Sequence, residues 1–252
     1  MHIQYATRSK IGTRRSNNED CCRIEIGDLR NVSSVDNRML FAVADGMGGH
    51  PCGEVASMMA CGALAGFFEA QGKVSGKKLQ KTLEQSFFDI DEQIKQYTRK
   101  NPACLHMGTT LSVMIIFGEQ AVISHVGDTR IYCLRDEKLK LLTTDHTFVQ
   151  EMMEKGALTA KMGETSPYRN VLTRVIGTEE PLGGVSSQLL DIITGDRFLL
   201  SSDGLHDSVS FQDIELMMGD GDDPEKTAKG LMSCAIANGG RDDITLIIVH
   251  TA

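Results

Sequence analysis

Asp45 ends the apolar run Met39 to Ala44 and opens a glycine-rich turn within Phe41-Ala-Val-Ala-Asp-Gly-Met-Gly-Gly-His50. The run has the composition of a buried strand, and the glycines after it let backbone approach a ligand or metal closely. A carboxylate at the end of a buried strand reads as a working residue; an ordinary Asp-Gly turn is the competing reading. The chain repeats the arrangement at Phe198-Leu-Leu-Ser-Ser-Asp-Gly204, and it carries RSNNED at 15–20, VGDTR at 126–130 and GGRDDIT at 239–245. Asp45, Asp203 and Asp242 therefore each fall at a strand edge or a turn beside a strand, far apart in sequence. Gathered by folding, they cannot stay bare, because two carboxylates about 4 Å apart repel by roughly 4 kcal/mol at an effective dielectric of about 20. Three must take up protons or hold cations. Oxygen-only ligands select hard octahedral ions, magnesium or manganese in preference to zinc.

The elements that must position these carboxylates are legible in part. Residues 2–7 alternate as an edge strand, 22–26 alternate again, and 38–45 form the buried strand. A helix begins after Pro51 with Val55, Met58, Met59, Gly62, Ala63 and Phe67 on one side. Leu79, Leu83, Phe87, Ile90, Ile94 and Tyr97 then step by threes and fours, the stripe of a long amphipathic helix packed on a sheet. Residues 110–117 read as a buried strand, and 121–126, 130–135 and 138–143 as a meander joined by turns at Gly127-Asp128 and Asp136-Glu137. A short helix at 147–155 leads into 156–177, which has little periodicity. Strands at 188–193 and 197–202, helices at 211–218 and 224–238, and a strand at 243–250 complete the chain. Strands outnumber helices, and the two longest helices are neighbours. This opposes strict βαβ alternation and favours an α+β fold of mainly antiparallel sheets with helices outside.

Composition narrows the class. The 252 residues allow one or two domains, and 41% hydrophobic with 24% charged residues is an ordinary globular balance. Lys and Arg total 26 against 34 Asp and Glu, a net charge of −8, and no basic run exceeds two residues, which argues against a nucleic-acid partner. The seven cysteines are odd in number and contain no C-x-x-C pair, the pattern of free thiols in a reducing cytoplasm. The N-terminal MHIQYATRSKIG lacks an apolar signal core and no run approaches a membrane span, so a cytoplasmic location without membrane insertion is expected.

Taken together, the five acidic stretches resemble the metal-dependent Ser/Thr protein phosphatases of the type 2C (PPM) family in its short bacterial form, in the family's order from about Thr7 to Val249. The resemblance implies one catalytic domain over 1–252. Its fold would be a four-layer α-β-β-α sandwich of two mainly antiparallel central sheets flanked by helix pairs, with 156–177 as the family's flap, a mobile insertion beside the active site. It implies hydrolysis of phosphoserine and phosphothreonine in proteins by a hydroxide bridging a binuclear Mg2+ or Mn2+ centre, opposed by a Ser/Thr kinase. Asp45 matches the carboxylate that bridges two metals and Gly46 a backbone carbonyl ligand. Asp203 and Asp242 match the carboxylates that complete one metal, and Asp20, with Glu19 beside it, the acidic pair that holds the other. Arg15 matches the phosphate-binding arginine, whose planar fork can grip two oxygens. Arg14 competes, and spacing favours Arg15. Asp128 matches the ligand of a third, weaker metal shared with Asp203; a plain turn residue is the alternative.

Two positions depart from the pattern. Met47 stands where the animal enzymes carry the histidine proposed as general acid, leaving His50, three residues on, or an ordered water to protonate the leaving group; His50 ordering the turn by a hydrogen bond is the bland alternative. Asp243 replaces a common asparagine and is expected to face solvent. Two other functions compete: a catalytically weak phosphoprotein- or ligand-sensing module of the same fold, and a hydrolase of small phosphate esters. No core aspartate is lost, which favours the protein phosphatase.

Overall fold

The computed structural model describes residues 1–27, 38–47, 52–70 and 76–252. Among these residues ten strands form two five-stranded sheets, antiparallel at every pairing. The first sheet is ordered β1 (Ile3–Lys10), β10 (Ile244–Thr251), β9 (Arg197–Ser201), β6 (Arg130–Arg135), β7 (Lys138–Leu141). The second is ordered β2 (Asp20–Ile26), β3 (Met39–Asp45), β4 (Leu111–Phe117), β5 (Gln120–Val126), β8 (Ser186–Asp191). Strands apolar on both faces lie centrally: β10 is buried along its whole length, and Phe41 and Val43 of β3 face Phe198, Leu200, Ile247 and Val249 of the other sheet.

Helices cover the outer faces. α1 (Gly53–Ala70) and α2 (Gly76–Lys100) pack on the second sheet through Ala60, Leu64, Leu83, Phe87 and Ile94. α6 (Phe211–Gly219) and α7 (Pro224–Ala237) cover the first through Ile214, Met218, Leu231 and Ala235. The result is the α-β-β-α order expected. Short helices α3 (Phe148–Glu154) and α4 (Ala160–Glu164) lie in the connection between β7 and β8, and α5 (Asp203–His206) follows β9 directly. α4 occupies part of the segment read as aperiodic, and Thr147 and Thr159 cap α3 and α4 by accepting from Gln150 N and Met162 N.

Three readings need correction. The buried face of α1 is Ala56, Ser57, Ala60, Cys61, Leu64 and Phe68, while Met58 is 63% exposed. Small residues let this helix lie close to the sheet, so bulk misidentifies its inner face; Val55, Met59, Ala63 and Phe67 only flank it. Residues 121–143 are not one meander. β5 belongs to the second sheet and β6 to the first, so the Gly127-Asp128 turn crosses between sheets and carries Asp128 into the cleft at their shared end. Finally, the cysteines are not all free thiols: Cys52 and Cys104 form a disulfide across 52 positions, leaving five free cysteines. Parity and spacing are blind to a pair that only the packing of α1 against the end of α2 brings together, and the cysteine argument for a reducing compartment falls with it. Among the described residues no helix is long and apolar enough to cross a membrane.

Candidate active site

The carboxylates converge where both sheets end. Antiparallel register pairs Asp20 at the start of β2 with Asp45 at the end of β3. Thr110 fixes the Asp45 backbone from both sides: its Oγ1 accepts from Asp45 N at 3.0 Å, and its N donates to Asp45 O at 2.9 Å. Ser202 links the sheets, donating from Oγ to Asp20 Oδ2 at 2.7 Å while accepting from Thr245 N at 2.9 Å. Asp203 follows at the first position of α5, and Asp242 lies two residues before β10. Two glycines make this convergence possible. A Cβ at Gly204 would overlap the carbonyl of Asp243, and one at Gly46 would overlap the carbonyl of Gly53. Each side chain would wedge apart two segments that carry or support acidic residues.

Burial dominates the electrostatics. Asp20 and Asp128 are each pushed up to about 7, first by loss of water; the neighbouring carboxylates Asp203 and Asp243 add to this at Asp20, and Asp145 at Asp128. Asp45 and Asp203 lie well above the ordinary carboxylate value, again chiefly by burial. The charges of Asp20, Asp203, Asp128 and Asp242 add to this at Asp45, and those of Asp128, Asp242 and Asp207 at Asp203. Glu19 is raised for the same first reason. Glu19 Oε2, Asp20 Oδ1 and Asp203 Oδ1 are buried with no hydrogen-bond partner. Such oxygens are costly to bury unless a proton or a cation meets them.

The donor set is oxygen only, which fits magnesium or manganese. Among the described residues no three acidic, His or Cys side chains close onto one point as a preassembled cage.

Arg15 stands at the rim. Its loop is laid on the segment before β10 by Thr13 N to Gly240 O at 2.8 Å and Arg14 N to Arg241 O at 3.1 Å. Arg15 holds Asp242 in a two-pronged pair, Nε to Oδ1 at 2.6 Å and Nη2 to Oδ2 at 2.8 Å, with Glu19 at 3.7 Å. Arg14 is exposed. The expectation that Asp243 faces solvent is wrong: it is 3% exposed, and its two oxygens accept from Gly12 N and Glu19 N, both at 2.8 Å, clasping the Arg15 loop at its ends. An asparagine could satisfy only one such N–H with its oxygen.

A cavity of about 500 Å³ opens over this cluster, lined by Arg15, Asp45, Met47, Asp128, Asp203 and Asp242 together with Asn170, Thr173 and Val175 of the 156–177 segment. A second, of about 470 Å³, continues past Asp128 and Asp203 to Asp207 and Arg169. Sequence reading missed Asp207, which accepts from Arg169 at 3.2 Å and Asn170 at 3.3 Å; its place four residues after Asp203, at the end of α5, was the available signal. His146 holds the neighbouring turn in place. Gly127 N donates to His146 Nδ1 at 3.1 Å and His146 N to Gly127 O at 2.9 Å, while Thr173 N donates to His146 O at 2.8 Å. Desolvation, with His125 and Arg174 nearby, pushes the ring down to about 3, so it stays a neutral acceptor joining the Asp128 turn to the segment around Thr173. His50 lies outside the described residues.

Residues 11–225 match the family described as Protein phosphatase 2C. The Ser/Thr phosphatase stp of Listeria monocytogenes is 32% identical over 251 residues, covering 99% of this chain and 96% of the relative. The Ser/Thr protein phosphatase PstP of Mycobacterium tuberculosis is 33% identical over 98% of this chain, which spans only 44% of that relative's length. Among solved structures, the Streptococcus agalactiae Ser/Thr phosphatase superposes with a TM-score of 0.90 at 27% identity, with both chains fully covered. The catalytic domain of PstP in complex with two manganese ions superposes with a TM-score of 0.83 at 31% identity, covering 98% of this chain and 97% of that one. The two-sheet fold and the acidic cleft are those of the solved phosphatases that this chain resembles. The chain belongs to the protein phosphatase 2C family.

Proposed function

We propose that this protein is a metal-dependent Ser/Thr protein phosphatase acting as one catalytic domain over 1–252. The observation that carries the proposal is the buried carboxylate cluster: Asp45, Asp128 and Asp203 line a cleft that Arg15 overlooks, and beside them Asp20 Oδ1 and Asp203 Oδ1 are buried with no hydrogen-bond partner. The PstP structure with two manganese ions supports manganese as the resident ion. Asp45, the Gly46 carbonyl, Asp203 and Asp242 would hold one ion, Asp45 and Asp20 the second, and Asp128 with Asp203 a weaker third. Divalent ions held there would acidify water for attack on phosphorus and offset phosphoryl charge.

The chain's own residues do the rest. Thr110 and Ser202 orient Asp45 and Asp20 by hydrogen bonds, so the carboxylates are aimed before ligands arrive. Arg15, raised in pKa by its bond to Asp242, stays charged and presents its fork to a phosphate monoester entering the cavity. Asp242 holds Nε and Nη2 of that guanidinium, so a phosphate entering the cavity competes with Asp242 for the fork. His50 is the proposed proton donor to the departing serine oxygen, since Met47 in the cavity wall has no proton to give. The proposed substrates are phosphoproteins made by an opposing Ser/Thr kinase, and the proposed compartment is the cytoplasm, where such a kinase finds ATP. Phosphate release from a phosphoserine peptide, with and without Mn2+, tests the proposal; release that ignores the metal would overturn it.

A further inference from the structure

We propose that Cys52–Cys104 is a redox switch on the metal centre: the disulfide braces the turn that carries Asp45 and Gly46, and its reduction by a dithiol weakens divalent-metal binding there. The proposal rests on the reading of Asp45 and Gly46 as metal ligands. Residues 45–47 lie along 108–110, with Thr109 Oγ1 and Thr110 N both donating to Asp45 O at 2.9 Å and Met47 N donating to Gly108 O at 2.9 Å. Cys104 is in the same segment, four residues before Gly108, and its carbonyl accepts from Met107 N at 3.1 Å. The chain leaves the centre at Met47 and returns at Cys52, whose sulfur is joined to Cys104. Both ends of the turn are thus attached to one segment, by hydrogen bonds at the carboxylate end and by a covalent bond at the helix end.

The covalent end bears directly on the ligands. Cys52 has φ +67°, a left-handed backbone that residues with side chains seldom adopt, so this conformation must be held from outside. Its carbonyl accepts from Val55 N and Ala56 N and starts α1. The next residue, Gly53, touches Gly46 so closely that a Cβ on Gly46 would strike it. Release of Cys52 therefore frees the support of the Gly46 carbonyl. Disulfides that occur in cytosolic proteins are usually transient and redox-sensing, and Cys52, half-buried, is the more exposed of the two cysteines. A dithiol thiolate attacks Cys52 Sγ, Cys104 leaves as thiolate, and the second thiol resolves the mixed disulfide. Two electrons and two protons pass to the protein, and the reductant becomes a cyclic disulfide. A peroxide or a disulfide oxidant reverses the step.

Calorimetric titration of Mn2+ into metal-free protein tests this with three samples: air-oxidised wild type, wild type reduced with dithiothreitol and desalted anaerobically, and Cys104→Ser. The oxidised protein should bind Mn2+ at least about fivefold more tightly than the other two, the lower end of typical coupling between sites. Because coupling is reciprocal, saturating Mn2+ should make the disulfide harder to reduce by the same factor in a dithiothreitol equilibrium, which a bond that merely adds stability would not show. If Cys104→Ser does not fold, the two wild-type states still decide. Equal Mn2+ affinity in both states, or seven free thiols in the air-oxidised protein, overturns the switch alone. Absence of Mn2+ binding in every sample overturns the metal centre and the switch with it.

Discussion

Gly204→Ala separates two effects of opposite sign. Gly204 is the second residue of α5, so helix propensity alone favours alanine by about 1 kcal/mol. Close packing says the reverse. The new Cβ would lie 3.0 Å from the carbonyl carbon of Asp243 and nearer still to its oxygen, where ordinary contact begins at 3.4 Å. Backbone cannot rotate away as a side chain can, so the α5 start and the segment before β10 must part. Overpacking typically costs about 1–3 kcal/mol, and with two backbone segments opposed we take the upper end, about 3 kcal/mol against about 1. For a chain of this size the net of about 2 kcal/mol lowers Tm by roughly 4–8 °C, at about 2–4 °C per kcal/mol. The separation also spreads Asp203 from Asp242, so Mn2+ affinity should fall at least about tenfold, equivalent to about 1.4 kcal/mol. Gly62→Ala in exposed α1, with nothing within 4 Å of its Cβ, is the control and should raise Tm by roughly 2–4 °C. Differential scanning calorimetry and Mn2+ titration read both. A Gly204→Ala protein as stable and as metal-avid as the parent would refute the claim that this contact sets the carboxylate spacing.

Arg15→Ala should lower kcat/KM for phosphopeptides by about tenfold or more through a raised KM, while Arg14→Ala changes it little; the reverse ranking would mean that the exposed Arg14 reaches the phosphate. The raised carboxylates predict a pH dependence for the metal-free protein. Their folded-state pKa values exceed the unfolded ones, so their contribution is present below about pH 4 and lost as pH rises through about 7, on the order of 4 kcal/mol for Asp20 alone. The Tm of chelated protein should therefore fall between about pH 5 and pH 8 and the fall should vanish in saturating Mn2+; a Tm that rises with pH in chelator would contradict the cluster. His50→Ala should slow phosphoserine peptides by about tenfold or more and aryl phosphates much less, because only the basic leaving oxygen needs a proton. Equal losses on both substrates would make His50 structural.

Most of the scaffold could be read from periodicity because burial is one-sided and bulky there. Leu79, Leu83, Phe87, Ile90 and Ile94 do face the sheet, and the apolar run at Met39 to Ala44 is a central strand. The failures share a cause, since each depends on contacts between segments distant in sequence. The inner face of α1 is mostly alanine, serine and cysteine, which carry little hydrophobic signal, with only Leu64 and Phe68 bulky. The Gly127-Asp128 turn looks like any hairpin turn, and only the pairing of β6 with β9 shows that it crosses between sheets. Asp243 reads as a surface carboxylate until Gly12 and Glu19 N–H groups are placed on it. Cys52 and Cys104 carry no local mark of their pairing.

The central claim is that the buried carboxylates exist to hold divalent ions for phosphate-ester hydrolysis, and its most direct measurement is phosphate release from a phosphoserine peptide by wild type and Asp45→Asn. Each protein is assayed in Mn2+, after chelation, and after Mn2+ is restored. The account predicts turnover by wild type that disappears on chelation and returns with Mn2+, and turnover by Asp45→Asn lower by at least about a hundredfold although the variant stays folded. Undiminished turnover by chelated wild type, or by Asp45→Asn in Mn2+, would contradict it.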